Sequence, residues 1–347
     1  MMLRSFAVYG LFNEYNYDVP LSDGNLTFIH SQNGFGKSTI MKLIYNALTG
    51  DLDSMRDVLF ERLDLRFDDG SCMIIENNGE DLLVQMQKNE VEEDITAEDM
   101  RKILNTVYVS PLRQVVSCDG NVTSAAVTLL KGLSEKMGAA SEERDLPRPK
   151  KGALTDLSDE ELEFKSKDLK ARLEFIRQAG IEPIMPSGHR FPPTRFEIME
   201  YRKVYEDLAS SVETYVDRYY TLAESIVVYI DIINSLFINK EIFINEMSGL
   251  NVRMKNGTAI PINKLSSGEE QLLVIFYRLL FQTDAGSLAI IDEPEISLHV
   301  SWQQRIGSIF SDIARLRSLQ VIVATHSPQI IHDSWDLAAE LKVDNDR

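Results

Sequence analysis

Two short segments, far apart in the chain, carry side chains suited to phosphate chemistry. Residues 33–39 read Asn33-Gly34-Phe35-Gly36-Lys37-Ser38-Thr39, and residues 288–295 read Leu288-Ala289-Ile290-Ile291-Asp292-Glu293-Pro294-Glu295. In the first, Gly34 and Gly36 let backbone amides approach an anion with no Cβ in the way. A helix beginning near Lys37 would add partial positive charge where a β-phosphate lies. Lys37 is spaced to reach the β- and γ-phosphates and Ser38 to place a hydroxyl on Mg²⁺, while Asn33 and Thr39 frame the loop and the first helical turn. Such loops usually open on glycine, where this chain has Ser31; the adjacent Asn33-Gly34 can supply the positive φ instead. The second segment is an apolar strand ending in two acids, and an unpaired buried carboxylate is costly. Asp292 is suited to hold a Mg²⁺-bound water, and Glu293 to orient an attacking water in line with a γ-phosphate. Glu295 reads as structural or interfacial. Together the two segments predict binding and hydrolysis of a nucleoside triphosphate with Mg²⁺, provided that they meet in space.

The surrounding pattern supplies elements to position them. Residues 3–9 and 25–30 read as strands separated by Ser22-Asp23-Gly24, and Thr39 to Leu48 as a helix closed by Gly50. Alternating runs at 63–67, 72–76 and 82–87, parted by Asp68-Asp69-Gly70 and Asn77-Asn78-Gly79, predict an antiparallel meander. Residues 106–109 form a further strand, and the runs 288–291 and 321–324 are apolar throughout, as expected of parallel strands buried on both faces. Residues 146–152 (LPRPKKG) read as a linker. Beyond it, Ser158-Asp159-Glu160-Glu161 has capping-box spacing, and a helix is predicted from about Thr194 to Asn239. Its apolar seam runs from Ile198 through Val212 and Ile226 to Leu236 in alternating steps of three and four. Unbroken, that helix would be about 65–70 Å long. Five tyrosines in the seam suit a helical hairpin or small bundle rather than a tight coil of identical helices. The fold class expected is therefore α/β. A P-loop NTPase domain with an antiparallel β subdomain is built from residues 1–150 and 241–347, and a helical insertion occupies 151–240.

Bulk composition narrows the partners. The chain has 347 residues and a net charge of -18, so its surface as a whole repels nucleic acid and acidic membranes. Residues 51–100 alone hold 16 Asp and Glu against 4 Lys and Arg, which reads as a solvated rim. Cys72 and Cys118 lack metal-ligand spacing, and the five histidines do not cluster. The N-terminus lacks signal-peptide character, and the apolar stretch 225–239 is interrupted by Asp231 and too short to span a bilayer. A cytoplasmic protein without a membrane partner is expected.

Two further segments make the pattern specific. Leu265-Ser266-Ser267-Gly268-Glu269-Glu270-Gln271 introduces an amphipathic helix, which by itself is an ordinary helix N-cap. Ala324-Thr325-His326-Ser327-Pro328 follows the last apolar strand. The order of phosphate loop, serine-glycine loop, acid-tipped strand and histidine loop resembles the ABC-class ATPase heads of the SMC and RecF group. The wording Asp-Glu-Pro-Glu-Ile-Ser-Leu-His and Thr-His-Ser-Pro is similar to the OLD-like ATPases of bacterial and phage-defence systems. The resemblance covers roughly 1–115 and 240–335 and leaves the insertion out. It implies two heads packed head to tail around two nucleotides, hence a homodimer or higher oligomer. Ser266, Gly268 and Glu269 would then form the signature loop acting on the nucleotide of the other subunit. His326 would polarise the γ-phosphate beside Glu293, and Gln114 would monitor the Mg²⁺ held by Ser38 and Asp292. Ser267 stands where many relatives have glycine.

OLD nucleases continue into a Toprim domain; this sequence, ending at Arg347, carries none. The resemblance thus implies a dimeric ATP-dependent sensor and scaffold with slow turnover, similar to phage-defence ATPases of the Septu or PARIS kind. Its effector, a nuclease or toxin, would be a separate protein. The alternative is a RecF-like DNA-maintenance ATPase gripping nucleic acid across the dimer, with Arg144, Arg148, Lys150 and Lys151 as a phosphate-binding strip. The net charge opposes that reading, and a transporter subunit ranks below both.

Overall fold

The computed structural model describes residues 1–79, 81–89, 91–110, 115–118, 121–150, 152, 154–245 and 249–342. The chain forms two units, Met1–Gln114 with Ser266–Arg347, and Val115–Leu265. The first stretch holds β1 (Leu3–Leu11), β2 (Tyr15–Pro20), β3 (Leu26–His30), α1 (Lys37–Thr49), α2 (Leu52–Arg56) and β4 (Arg62–Phe67). It continues through β5 (Cys72–Asn77), β6 (Leu82–Lys88), β7 (Val91–Asp94), α3 (Ala97–Ile103) and β8 (Thr106–Val109). The second unit holds β9 (Val115–Cys118), β10 (Asn121–Ser124), α4 (Ala125–Glu142), α5 (Asp159–Gln178) and α6 (Arg195–Leu236), then β11 (Lys240–Asn245), β12 (Gly249–Met254) and β13 (Ala259–Ile260). The chain then returns to the first unit as α7 (Ser267–Phe281), β14 (Leu288–Asp292), α8 (Val300–Leu316), β15 (Gln320–Thr325), α9 (Pro328–Ile331) and β16 (Ala338–Glu340).

The first unit has the α/β P-loop NTPase architecture. Its central sheet has the order β16-β3-β15-β14-β8, with every pair parallel. β14 and β15 are buried at every residue, which is why they read as unbroken apolar runs. Leu288, Ile290, Ile322 and Ile29 point into one core with Ile40, Leu43 and Ile44 of α1. α8 packs on β3 and β15 and also on α9, where a Cβ on Gly307 would lie 2.2 Å from the Ile330 carbonyl oxygen. The antiparallel sheet, β2-β1-β4-β5-β6-β7, closes the α1 side with the alternating residues Phe6, Val8, Leu63, Leu65, Met73 and Ile75. Burial in this core holds α1, and with it the end of the glycine-containing loop that precedes it, against the strand ends.

The second unit differs from the expected insertion in three respects. It is wider than 151–240, because α4 packs on β12 and α6 on β11, so that the three-stranded sheet β11-β12-β13 belongs with the helices. The two long helices also do not form the antiparallel hairpin anticipated. α5 and α6 run parallel, with Asp159 against Arg202, Lys165 2.7 Å from Glu213, and the Phe175 and Tyr220 rings 5.2 Å apart. The connection over 179–194 therefore returns along their length. Lastly, the long helix is not continuous. Tyr201 leaves helical geometry at φ -127°, ψ 39°, and kinks α6 after its first turns. Among the described residues no helix is long and apolar enough to cross a membrane.

Candidate active site

The loop between β3 and α1 owes its shape to glycine. Gly34 and Gly36 have φ of 90° and 76°, and a Cβ on Gly36 would lie 2.8 Å from Leu11 Cδ2. Gly36 is the N-cap of α1. No side chain caps the helix and no acid lies in its first turn, which leaves the positive end of the helix dipole available to an anion. The Tyr17 hydroxyl donates to the Phe35 carbonyl at 2.9 Å and holds the loop against β2. Asn33 is exposed at the loop's crest and Thr39 is half-buried in the first turn.

Lys37 is only 4% exposed. Its ammonium donates to the Ser31 carbonyl and hydroxyl, each at 3.1 Å, and lies 2.9 Å from His326 Nδ1. Burial lowers its pKa, and the carboxylates of Glu293, Glu295 and Asp292 push it back up. Asp292 ends β14 at 2% exposure. Its Oδ1 accepts from the Ser38 hydroxyl at 3.0 Å and its Oδ2 from the Tyr108 hydroxyl at 2.7 Å. Burial raises the Asp292 pKa against these two hydrogen bonds, and both burial and the Asp292 charge raise that of the Tyr108 phenol.

Glu293 breaks the strand with φ of 46°, its N–H donating to the Ala324 carbonyl at 2.8 Å. That left-handed turn brings its Oε1 to 3.1 Å from His326 Nε2, at the end of β15. A carboxylate accepts, so His326 Nε2–H donates to Glu293, while Nδ1 stands between the Lys37 ammonium at 2.9 Å and the Ser31 carbonyl oxygen at 3.0 Å. Lys37, Ser38, Asp292, Glu293 and His326 thus form one cluster at the carboxyl ends of β3, β14 and β15, the end of an open parallel sheet where ligands bind. A hydroxyl and a carboxylate already in contact are hard oxygen donors of the kind Mg²⁺ takes when substrate phosphates and waters complete its shell.

The serine-glycine loop stands apart from this cluster. Ser266 is exposed and caps α7 in a capping box with Glu269. Gly268 is buried, and a Cβ there would meet the Ser297 carbonyl oxygen at 2.4 Å, so α7 sits directly on the loop that follows β14. Gln271 donates to the Pro294 carbonyl at 3.2 Å. Gln114 lies outside the described residues, as does Lys151 of the basic strip.

Two participants escaped sequence reasoning, Ser31 as a partner of Lys37 and Tyr108, whereas Glu295, read as structural or interfacial, holds Thr325 and the His326 backbone. A tyrosine between the valines of strand Thr106–Val109 was the available signal, since a buried hydroxyl needs a partner. Tyr108→Phe leaves Asp292 Oδ2 without its donor. The Mg²⁺ concentration giving half-maximal ATPase is expected to rise about 10-fold, as is usual when a group supporting a metal ligand is lost. A Mg²⁺ titration at saturating ATP measures it.

A family model described as AAA ATPase domain matches residues 79–331. An Escherichia coli protein named Retron Ec83 probable ATPase is 32% identical over 93 residues, a stretch covering 22% of this chain and 16% of that protein. Among solved structures, the Smc head domain with an extended coiled coil, bound to the C-terminal domain of ScpA and derived from Pyrococcus furiosus, aligns at TM-score 0.49 and 14% identity over 98% of this chain and 95% of that one. The SMC head domain from Thermotoga maritima aligns at TM-score 0.43 and 11% identity over 97% and 92%.

Proposed function

This chain belongs to the AAA ATPase domain family, and from that premise we propose that it hydrolyses ATP with Mg²⁺ as a dimeric sensor and scaffold in antiphage defence, working with a separate effector. The observation that carries the chemical part is the meeting of two hydrogen-bonded groups, Lys37–His326–Glu293 and Ser38–Asp292–Tyr108, at one end of the parallel sheet. The amides of the 33–36 loop and the uncapped start of α1 receive the phosphates, and Lys37 exchanges its bonds to Ser31 and His326 for phosphate oxygens. Ser38 and Asp292 hold Mg²⁺, which when bound neutralises charge on the phosphoryl group being transferred. Tyr108 keeps one Asp292 oxygen engaged and so aims the other. Glu293 orients the water and accepts its proton. His326 Nε2–H steadies Glu293 in the resting protein. In the dimer, the start of α7, with the exposed Ser266 and with Gly268 and Glu269, meets the nucleotide of the other subunit.

The defence role rests on the sequence resemblance to OLD-like ATPases and on the 93-residue likeness to the retron protein. Its test is purification together with the product of the neighbouring gene, joined to phage challenge of cells with and without this gene. Copurification of a nuclease or toxin and lost protection on deletion are expected. A protein that purifies alone and whose loss leaves phage sensitivity unchanged would sink the defence role. DNA binding whose affinity falls steeply with salt would favour the DNA-maintenance reading instead.

A further inference from the structure

We propose that Glu295 is the positioning residue for His326: its carboxylate, carried on the loop after β14, holds the end of β15 so that the imidazole reaches Lys37 and Glu293. The inference rests on the ATPase reading above and adds a residue to it. Glu295 Oε1 accepts from the His326 N–H at 2.5 Å and Oε2 accepts from the Thr325 hydroxyl at 2.8 Å. Thr325 Oγ1 in turn accepts from the Ser327 N–H at 3.0 Å. One carboxylate thereby fixes three consecutive residues of the histidine loop. Its two charge-assisted bonds fall on the backbone donor of His326 itself and on a fully buried threonine.

The loop bearing Glu295 is itself braced. It turns at Glu293 and at Ser297, whose φ is 66°. Gln271 of α7 holds the Pro294 carbonyl, and Gln303 of α8 donates to the Leu298 carbonyl at 2.9 Å while its Oε1 accepts from the Ser327 hydroxyl at 2.7 Å. Glu295 is thus a rigid abutment for the histidine loop. The imidazole's contacts, 2.9 Å to Lys37 Nζ and 3.1 Å to Glu293 Oε1, depend on where the backbone of residue 326 lies.

Hydrogen bonding and charge can be separated. In Glu295→Gln the amide oxygen still accepts from the His326 N–H, and the amide nitrogen donates to Thr325 Oγ1, which keeps accepting from Ser327. Glu295→Ala removes both bonds. Steady-state kcat and KM for MgATP are measured for wild type and both variants, with ¹³C-ring-labelled histidine spectra; the five histidine signals are sorted by the one missing in His326→Gln. Glu295→Ala is expected to lower kcat about 100-fold with KM held within about threefold and to move the His326 signal alone, while Glu295→Gln keeps that signal in place and recovers kcat to within about threefold of wild type. An unmoved His326 signal or an unchanged kcat in Glu295→Ala overturns the proposal, as does Glu295→Gln behaving like Glu295→Ala. If wild type itself shows no turnover, the ATPase reading falls, and the ring spectra still decide whether Glu295 positions His326.

Discussion

Lys37→Ala is expected to weaken MgATP binding by ~30–1,000-fold, the equivalent of about 2–4 kcal/mol for truncating one partner of a buried charged pair. The ammonium is almost fully buried and stands among Asp292, Glu293 and Glu295, whose charges hold up a pKa that burial lowers. Removing it deletes the donor that meets the phosphates and leaves three carboxylates facing an anionic ligand. Calorimetry with MgATP reads the loss, and a thermal melt shows whether the fold survives. The core that places α1 does not depend on the ammonium, since Ile40, Met41, Leu43 and Ile44 supply it. Wild-type affinity in the variant would mean that the 31–37 loop is not a phosphate site.

Glu293→Gln is expected to separate binding from turnover. Glutamine keeps the size of the side chain and an oxygen that can accept from His326 Nε2–H, so the geometry at the end of β15 persists. It lacks a carboxylate to take the proton of an attacking water, so kcat should fall ~10²–10⁴-fold while the Kd for MgATP stays within about threefold of wild type. With hydrolysis blocked, ATP should accumulate a closed dimer, read by light scattering across a sizing column with and without nucleotide. Hydrolysis at the wild-type rate would show that the water is activated by another group. The two variants complement each other: one loses the ligand, and the other keeps it and stalls.

The shape of the glycine loop at 33–36 was readable along the chain because its requirements are local. Left-handed glycines at 34 and 36, a helix starting at Lys37 and a strand before it all involve neighbouring residues. β14 and β15 were readable for a related reason, since burial on both faces leaves no polar position in the run. The direction of α5 against α6 was not, because a heptad seam says which face is covered and nothing about the sense of its partner. Asp159 with Arg202 and Lys165 with Glu213 belong to the parallel arrangement only once both helices are in place. The break at Tyr201 was hidden as well, since the seam runs through it without a change of step.

Residue types and short spacings thus carried the glycine loop, the acid-tipped strand and the class of fold, since each follows from backbone conformation or burial over a few consecutive positions. Strand order did the remainder. Laying β15 between β3 and β14 brought His326 to Lys37 across 289 positions of chain, and laying β8 beside β14 set Tyr108 on Asp292 across 184. A hydrogen bond acts over about 3 Å, and which distant groups come that close is decided by how the sheet is assembled.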